Sequence, residues 1–252
     1  MRIVRFKVGG TTRYGALEGS SIIEYTGTPF MIFRRGRRRY PLKHVVLLAP
    51  VLPSKIVTIG LNYRDHAAKL GLAIPDEPDI VLKPTTTLSG PDDPIVCPPI
   101  SARVEHEAEL GVVIKRRCHD VPVPRARECI LGYTCLNDVT ARDLQEKDGS
   151  GARAKAFDTF CPIGPCIATD VDPNALTIEA YVNGELRQSS NTKDMIFPIE
   201  DIVARVSQIM TLLPGDVIAT GTPAGIGPLQ PGDRVEVRIE SIGSLTNPVV
   251  RL

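Results

Sequence analysis

Three glutamates recur at alternate positions of a strand-like segment: Glu105, Glu107 and Glu109. The residues after Glu109 are apolar and rich in β-branched side chains, which favours a strand. Because residues i and i+2 of a strand point to the same face, these carboxylates are expected to lie side by side. Like charges so placed repel, and a hard divalent cation such as Mg²⁺, Mn²⁺ or Ca²⁺ removes the conflict. The spacing therefore predicts a metal site, although a solvated strand face produces the same pattern.

A second group of polar residues follows the apolar run 129–136. Asp138 lies where a buried strand is expected to end and a helix over 138–146 to begin, which is a favourable position for an acidic side chain. Arg142 and Gln145 follow on the same face of that helix. A carboxylate, a guanidinium group and an amide would then converge at one strand end. A capped helix with an ordinary Asp–Arg pair is the alternative.

Two further segments carry candidate functional groups. Lys155 lies between a glycine-containing loop and a phenylalanine-rich segment, where loss of solvent would lower its pKa, although most lysines are simply exposed. The segment 220–227 (Thr-Gly-Thr-Pro-Ala-Gly-Ile-Gly) follows an expected strand. It could present backbone N–H groups and a threonine hydroxyl to an anion, or it could be only a tight connection.

The elements that must position these residues are mostly strands, broken by Gly and Pro. Strands are predicted at 2–8, 12–17, 21–26, 29–34, 55–60, 79–83, 107–114, 130–138, 161–168, 176–182, 216–221 and 233–239, and helices at 65–72, 138–146 and 199–211. Strands rarely alternate with helices, so a β-rich mixed α/β architecture is favoured over a doubly wound sheet. The prolines at 50–53 mark a boundary between a small N-terminal β domain (1–52) and a larger domain (53–252).

Composition excludes several classes of protein. The chain is 42% hydrophobic and 23% charged, as in ordinary globular proteins, and its net charge of +1 creates no field that favours nucleic acid or membrane. No apolar run approaches the ~20 residues of a transmembrane helix. The N-terminal residues lack the apolar region of a signal peptide, and the cysteines form no CxxC pair. Buried reduced thiols and a cytoplasmic location are therefore expected.

The basic run 34–39 (Arg-Arg-Gly-Arg-Arg-Arg) leaves a non-enzymatic interpretation open. In that interpretation the chain is an inert β-rich protein that binds a polyanion through the run from Arg34 to Arg39. A solvated hairpin, or a surface facing an acidic partner, explains the same residues. Interleaved aromatic residues and a known binding motif are both missing, so no nucleic-acid partner is expected.

Five segments, taken in order, resemble those of the fumarylacetoacetate hydrolase superfamily in its short-chain branch. They are 60–66 (Gly-Leu-Asn-Tyr-Arg-Asp-His), 106–110 (His-Glu-Ala-Glu-Leu), 137–145 (Asn-Asp-Val-Thr-Ala-Arg-Asp-Leu-Gln), 155–160 (Lys-Ala-Phe-Asp-Thr-Phe) and 220–223 (Thr-Gly-Thr-Pro). The resemblance covers residues 53–252. That branch includes acylpyruvate hydrolases, oxaloacetate decarboxylases or tautomerases, and the hydroxyheptadienedioate isomerases of aromatic compound catabolism.

The resemblance implies a β-roll core, a Mg²⁺ (or Mn²⁺) ion and a homodimer. It also implies a 2-oxo acid substrate that is isomerised, tautomerised, hydrolysed or decarboxylated through a metal-stabilised enolate. Matched residue by residue, the implied metal ligands are Glu107, Glu109 and Asp138, the implied catalytic residues are Lys155 and His66, and the implied substrate-binding residues are Arg142, Gln145 and Thr222.

One position departs from this branch. Its hydrolases and decarboxylases commonly carry a glutamate three residues after the histidine that matches His66, and here that position is Lys69. A carboxylate would orient the imidazole and hold a water molecule as a general base, whereas a charged lysine can do neither. Either a nearby acid (Asp65, Asp76 or Glu77) takes this role, or water activation is weak and isomerisation is favoured.

Overall fold

The structure is a computed structural model that describes residues 1–251, and these residues form twenty β-strands, five α-helices and five 3-10 helices. The strands are β1 (Arg2–Val8), β2 (Thr11–Glu18), β3 (Ser21–Gly27), β4 (Phe33–Pro41), β5 (Val46–Leu48), β6 (Ile56–Ile59), β7 (Ile80–Lys83), β8 (Leu88–Ser89), β9 (Ile95–Val96), β10 (Val104–His106), β11 (Ala108–Ile114), β12 (Ile130–Asn137), β13 (Thr140–Ala141), β14 (Cys161–Ala168), β15 (Thr177–Val182), β16 (Glu185–Asn191), β17 (Val217–Ala219), β18 (Gly227–Pro228), β19 (Arg234–Ile239) and β20 (Gly243–Val250). The α-helices are α1 (Arg64–Leu70), α2 (Val123–Ala126), α3 (Arg142–Asp148), α4 (Gly151–Ala154) and α5 (Ile199–Ile209). The 3-10 helices are Leu42–His44, Thr85–Thr87, Arg127–Cys129, Pro173–Ala175 and Thr192–Asp194.

Within the described residues the strands form three sheets. The largest has the order β4-β3-β2-β1-β14-β12-β11-β17-β6-β7, with β5 paired to β1 and β8 paired to β14. A five-stranded sheet has the order β16-β15-β19-β20-β9, and β13, β10 and β18 form a small third sheet. The predicted β-rich, mixed α/β architecture is confirmed.

The main core lies between the two larger sheets and extends under α5. One cluster of buried side chains contains residues of β11 and β12, residues of β15 and β19, and the apolar face of α5: Leu110, Val112, Cys135, Ile178, Ala180, Val237, Ile239, Ile202, Val203 and Val206. β11 and β12 are central strands of the large sheet, so their side chains are buried along most of their length. The ends of these two strands are therefore rigidly placed.

The N-terminal strands join the same sheet as the rest of the chain. Ile3 of β1 pairs with Ile167 of β14 in antiparallel register, and Ile3 packs in one buried cluster with Ile163 and Ile167. The second predicted domain ends at residue 252, which lies outside the described residues.

Most predicted elements are present, and two of them need correction. The strand predicted at 29–34 is wrong: a turn precedes β4, which carries the basic run along an edge of the large sheet. Within that run Arg35 pairs with Glu18 at 2.5 Å and is 54% exposed, so the arginines lie on a solvated strand. The predictions also omitted eight strands: β5, β8, β9, β10, β13, β16, β18 and β20.

The helix predicted at 138–146 begins only at Arg142. Residues 140 and 141 instead form β13, in which Thr140 pairs with Glu105 and Ala141 with Val104. Asp138 therefore lies in the connection between β12 and β13 and is not the first residue of a helix.

Two other expectations concern the chain as a whole. All six cysteines are buried and unbridged, in agreement with the predicted reduced thiols. Within residues 1–251, the helices are too short or too polar to span a bilayer.

Candidate functional site

A cleft of about 240 Å³ brings most of the predicted site residues together. Its lining includes seven of the eight: His66, Glu107, Glu109, Arg142, Gln145, Lys155 and Thr222. The eighth, Asp138, lies beneath the lining, and its carboxylate belongs to one cluster with those of Glu107 and Glu109. The remaining wall is largely apolar, with Ile59, Leu61, Leu70, Leu72 and the carboxylate residue Asp79.

The antiparallel pairing of β11 with β12 creates the carboxylate cluster. In this register Ala108 is opposite Asn137, so the start of β11 meets the end of β12. The Asp138 backbone N–H donates to the Glu107 carbonyl at 2.9 Å, which fixes the two acids on neighbouring chain segments. One oxygen from each of Glu107, Glu109 and Asp138 lies within 4.8 Å of the others.

Glu105 does not join this cluster, although the alternate spacing predicted three neighbouring carboxylates. The strand is interrupted at Glu107, between β10 and β11. The Glu105 carboxylate instead accepts from the Nε atoms of Arg103, at 2.7 Å, and Arg142, at 2.8 Å. The alternate spacing therefore correctly predicted that Glu107 and Glu109 are neighbours. It failed for Glu105, which lies before the break in the strand.

Two buried lysines neutralise much of the negative charge. The Lys155 ammonium donates to Glu107 Oε2 at 2.8 Å, to Asp138 Oδ2 at 2.6 Å and to the Thr140 hydroxyl at 2.9 Å. The Lys83 ammonium donates to Asp138 Oδ1 and, at 3.2 Å, to the Val139 carbonyl. The two carboxylate oxygens of Asp138 are thus held from opposite sides.

The expected lowering of the Lys155 pKa is wrong in sign. Burial alone would lower it, but the nearby carboxylates of Asp138, Glu107 and Glu109 raise the pKa of Lys155 above its ordinary value. Lys155 is therefore a permanent cation in this protein.

The carboxylates of the cluster differ strongly in pKa. Burial would raise the pKa of Glu107, but Lys155 and Arg142 outweigh it and hold that pKa at about 2. Burial and the charges of Asp138 and Glu107 raise the pKa of Glu109 well above its ordinary value. Glu109 accepts the Gly221 backbone N–H at 2.8 Å, and within residues 1–251 it has no hydrogen bond from a cationic side chain.

Arg142 and Gln145 meet at the start of α3. The Arg142 guanidinium donates to Gln145 Oε1 and to Glu107 Oε1, in addition to Glu105. The carboxylates of Glu105 and Glu107 are thus both bonded to Arg142, and the arginine forms one side of the cleft.

His66 projects from α1 and is 8% exposed. Its Nδ1 atom is buried without a hydrogen-bond partner among the described residues. Burial lowers the pKa of His66, and Glu107 opposes the shift, while Arg142 and the exposed Lys69 add to it. His66 is therefore an uncharged imidazole at neutral pH, with one free ring nitrogen.

Sequence reasoning missed Lys83 and Gln188. Lys83 has a fully buried side chain, and the only local signal was its place at the end of a predicted strand, just before Pro84. Gln188 is buried in β16, a strand that was not predicted, and bonds to the Thr222 hydroxyl at 2.8 Å.

The carboxylate cluster suits a divalent metal ion. All its donors are oxygens, which Mg²⁺ and Mn²⁺ prefer over soft metals. Glu109 lacks a cationic hydrogen-bond partner among the described residues, and burial together with the charges of Asp138 and Glu107 raises its pKa. A bound cation would offset the repulsion among these buried carboxylates, so the residues present fit a divalent metal ion.

Comparison with known proteins agrees with the architecture. Residues 55–250 match the family model described as Fumarylacetoacetate (FAA) hydrolase C-terminal, and residues 1–50 match the model described as Rv2993c-like, N-terminal. A 5-carboxymethyl-2-hydroxymuconate delta-isomerase from Mycobacterium smegmatis, known from its crystal structure, shares 46% sequence identity with this chain. The two structures match with a TM-score of 0.95 over 100% of both chains.

Two other relatives carry different activities in their names. An oxaloacetate tautomerase, mitochondrial Fahd2a from Rattus norvegicus, is 41% identical over 83% of this chain and 71% of its own length. A maleylpyruvate hydrolase from Sphingobium sp. SYK-6, solved with manganese(II) and pyruvate, is 34% identical, has a TM-score of 0.85, and the match covers 100% of this chain and 99% of that one. Because the fumarylacetoacetate hydrolase model matches most of its length, the chain belongs to the fumarylacetoacetate hydrolase family.

Proposed function

We propose that this protein is a divalent-metal-dependent enzyme that acts on a 2-oxo acid of the acylpyruvate, oxaloacetate or 2-hydroxyhepta-2,4-diene-1,7-dioate type. The observation that carries the proposal is the buried cluster of Glu107, Glu109 and Asp138 at the base of a cleft whose wall holds Lys155 and His66. Buried like charges are costly, and functional sites are where proteins retain them. An inert polyanion-binding protein would need no such cluster.

In this proposal Glu107, Glu109 and Asp138 hold Mg²⁺ or Mn²⁺. When bound, the cation supplies Lewis-acid stabilisation of the negative charge that develops on the 2-oxo oxygen. The manganese and pyruvate in the related maleylpyruvate hydrolase support this choice of metal and of substrate class.

The chain's own residues supply orientation and proton transfer. Lys155 is a buried permanent cation and stabilises negative charge near the carboxylate cluster. Arg142 and Gln145, bonded to each other, orient the substrate on one side of the cleft. His66 is uncharged and lines the cleft, so its imidazole can accept a proton from the carbon next to the 2-oxo group and return it elsewhere.

Isomerisation or tautomerisation is the reaction class that these groups favour. Lys69 is exposed on α1 and adds positive charge near His66, so it cannot support a histidine that activates water. The names of the isomerase and tautomerase relatives are in line with this assignment. Carbon–carbon hydrolysis and decarboxylation, which use the same enolate, are the alternatives.

The rest of the organisation is proposed from the sequence: the domain boundary from the prolines at 50–53, the cytoplasmic location from the cysteines and the N-terminal residues, and the homodimer from the family resemblance. Residues 1–52 form a small N-terminal β domain, and the catalytic domain begins at residue 53. The protein acts as a homodimer in the cytoplasm.

A panel of 2-oxo acids tests the proposal. Acetylpyruvate, oxaloacetate and 2-hydroxyhepta-2,4-diene-1,7-dioate are incubated with the protein and Mg²⁺, Mn²⁺ or a chelator, and NMR identifies the products. At least one compound should be converted, and the chelator should abolish conversion.

Two glutamine substitutions provide the matched comparison. Glu109→Gln removes a proposed ligand without changing side-chain size, and it should abolish metal-dependent conversion. Glu146→Gln, on the solvent side of α3 with 64% side-chain exposure, should behave as wild type. Failure to convert any panel member with either metal, or full activity in Glu109→Gln, contradicts the proposal.

A further inference from the structure

A second buried network lies behind the cleft and centres on Gln188. The side chain is fully buried on β16, in a different sheet from the carboxylate cluster. Its Nε2 donates to the Thr222 hydroxyl at 2.8 Å and to the Pro223 carbonyl at 2.8 Å. Its Oε1 accepts the Ala108 backbone N–H at 3.0 Å. One amide thus bonds both the loop that contains Thr222 and the strand that carries Glu109.

The orientation of this amide is fixed by its partners. The Pro223 carbonyl can only accept a hydrogen bond, and the Ala108 N–H can only donate one, so the amide cannot be reversed. His106, 1% exposed, lies 3.1 Å from the same Oε1 through Nδ1, which must therefore carry the proton. All of the strong hydrogen-bonding groups of Gln188 are satisfied.

The Thr222 hydroxyl is used at both ends. It accepts from Gln188 Nε2 and donates to the Ala108 carbonyl at 2.9 Å. A hydroxyl has a single proton, so Thr222 cannot also donate one to a substrate oxygen. The substrate-binding role proposed for Thr222 then rests on the position of its loop rather than on the hydroxyl proton. What Thr222 presents to the cleft is set by its bonds to Gln188 and Ala108.

The loop also packs closely against the strand that carries Gln188. Gly225 has a φ of +106°, and a Cβ there would lie 2.2 Å from the Arg187 carbonyl oxygen. At Gly225 the loop backbone therefore lies directly against the backbone of β16. Gln188 also joins this loop to Ala108, which lies in the chain between the two candidate ligands Glu107 and Glu109.

We infer that Gln188 is a positioning residue that holds the Thr222 loop against the strand of the carboxylate cluster and thereby keeps the cleft in shape for a 2-oxo acid. This inference rests on the proposed function for the nature of the ligand. The hydrogen bonds of Gln188 to Thr222, Pro223 and Ala108, here called the clamp, are present in the ligand-free protein. They can be tested without any turnover.

The first test uses oxalate, an unreactive dianion whose two adjacent carboxylates mimic the carboxylate and the neighbouring enolate oxygen of a 2-oxo acid enolate. Gln188→Leu keeps the side-chain volume and removes the amide. Its affinity for oxalate in saturating Mg²⁺, measured by calorimetry, should fall about tenfold, the loss expected when one or two neutral hydrogen bonds are removed. With a converted substrate, KM should rise more than kcat falls. Gln230→Leu, an exposed glutamine, is the matched control.

A double-variant cycle separates the clamp from a direct contact. Thr222→Val removes the hydroxyl from the other end of the same bond and should also lower oxalate affinity. If the two residues act through one clamp, the double variant is little worse than either single variant. Thr222→Ser, which keeps the hydroxyl, should lose less affinity than Thr222→Val. Additive losses in the double variant overturn the inference.

Hydrogen exchange provides the decisive readout in the absence of ligand. In Thr222→Val and in Gln188→Leu, the backbone amides of residues 220–222, 224 and 225 should exchange faster than in wild type, while α5 is unchanged. A folded variant with unchanged exchange overturns the clamp, and if Gln188→Leu does not fold, Thr222→Val alone decides. If wild type does not bind oxalate at all, the proposed function fails, and the exchange result still stands for or against the clamp.

Discussion

Lys83 offers a demanding test of how the carboxylate cluster is held together. In Lys83→Met, a side chain of similar length replaces an ammonium whose partners are Asp138 and the Val139 carbonyl. Both members of the Lys83–Asp138 pair are 0% exposed, so solvent cannot replace the lost bonds. Removing one partner of a buried ion pair costs about 3–5 kcal/mol.

The lower end of that range applies here. Asp138 keeps its bond to Lys155 after the substitution, so its charge is not left fully unpaired. We expect the free energy of unfolding to fall by about 3 kcal/mol. In a chain of this length each kcal/mol shifts Tm by about 2–4 °C, so Tm should fall by about 6–12 °C.

Thermal unfolding with and without Mg²⁺ measures the effect. Because a bound cation replaces some of the positive charge that Asp138 has lost, Mg²⁺ should raise Tm more in Lys83→Met than in wild type. Lys147→Met, on the exposed side of α3, is the control and should change stability by less than about 0.5 kcal/mol. A Tm for Lys83→Met within about 2 °C of wild type would refute the reasoning, because it would mean that the buried pair contributes almost nothing.

Other predictions concern the proposed reaction. Lys155→Met removes the buried cation beside the carboxylate cluster and should lower turnover by about 10²-fold, the scale of one lost electrostatic stabiliser of the transition state, and near-wild-type turnover would remove Lys155 from the mechanism. Because burial lowers the pKa of His66 and the uncharged form accepts the proton, kcat/KM should fall with decreasing pH only through a pKa below the ordinary 6.5; this acidic limb should be absent in His66→Gln. Lys69→Glu should raise that pKa and increase hydrolysis or decarboxylation about tenfold, as measured by product NMR, whereas efficient cleavage by wild type would show that another acid has taken over the role.

The parts of the site that follow local rules could be predicted from the sequence. Alternation along β11 placed Glu109 beside Glu107, and the motif order placed Asp138 with them. The helix start at Asp138 was predicted wrongly because Thr140 and Ala141 pair with β10, which is distant in sequence. Local propensity contains no information about that pairing.

The positioning residues depend on contacts that no local pattern records. Lys83 meets Asp138 across 55 positions of sequence, and Gln188 meets Thr222 across 34. β16 reads as a polar loop because it lies at an edge of the five-stranded sheet, where Gln, Ser and Asn side chains are tolerated. β4 escaped correct placement for the same reason, since an exposed edge strand can consist largely of arginine.

The pairing of β1 with β14 makes the two matched segments of the chain dependent on each other. Separate family models match residues 1–50 and 55–250, as though the segments were exchangeable modules. Yet Ile3 closes the edge of β14 at Ile167 and covers the same buried cluster. A chain that began at residue 53 would expose an apolar strand edge to pairing with other molecules. Covering the β14 edge and the cluster beneath it is therefore a structural role of the N-terminal segment.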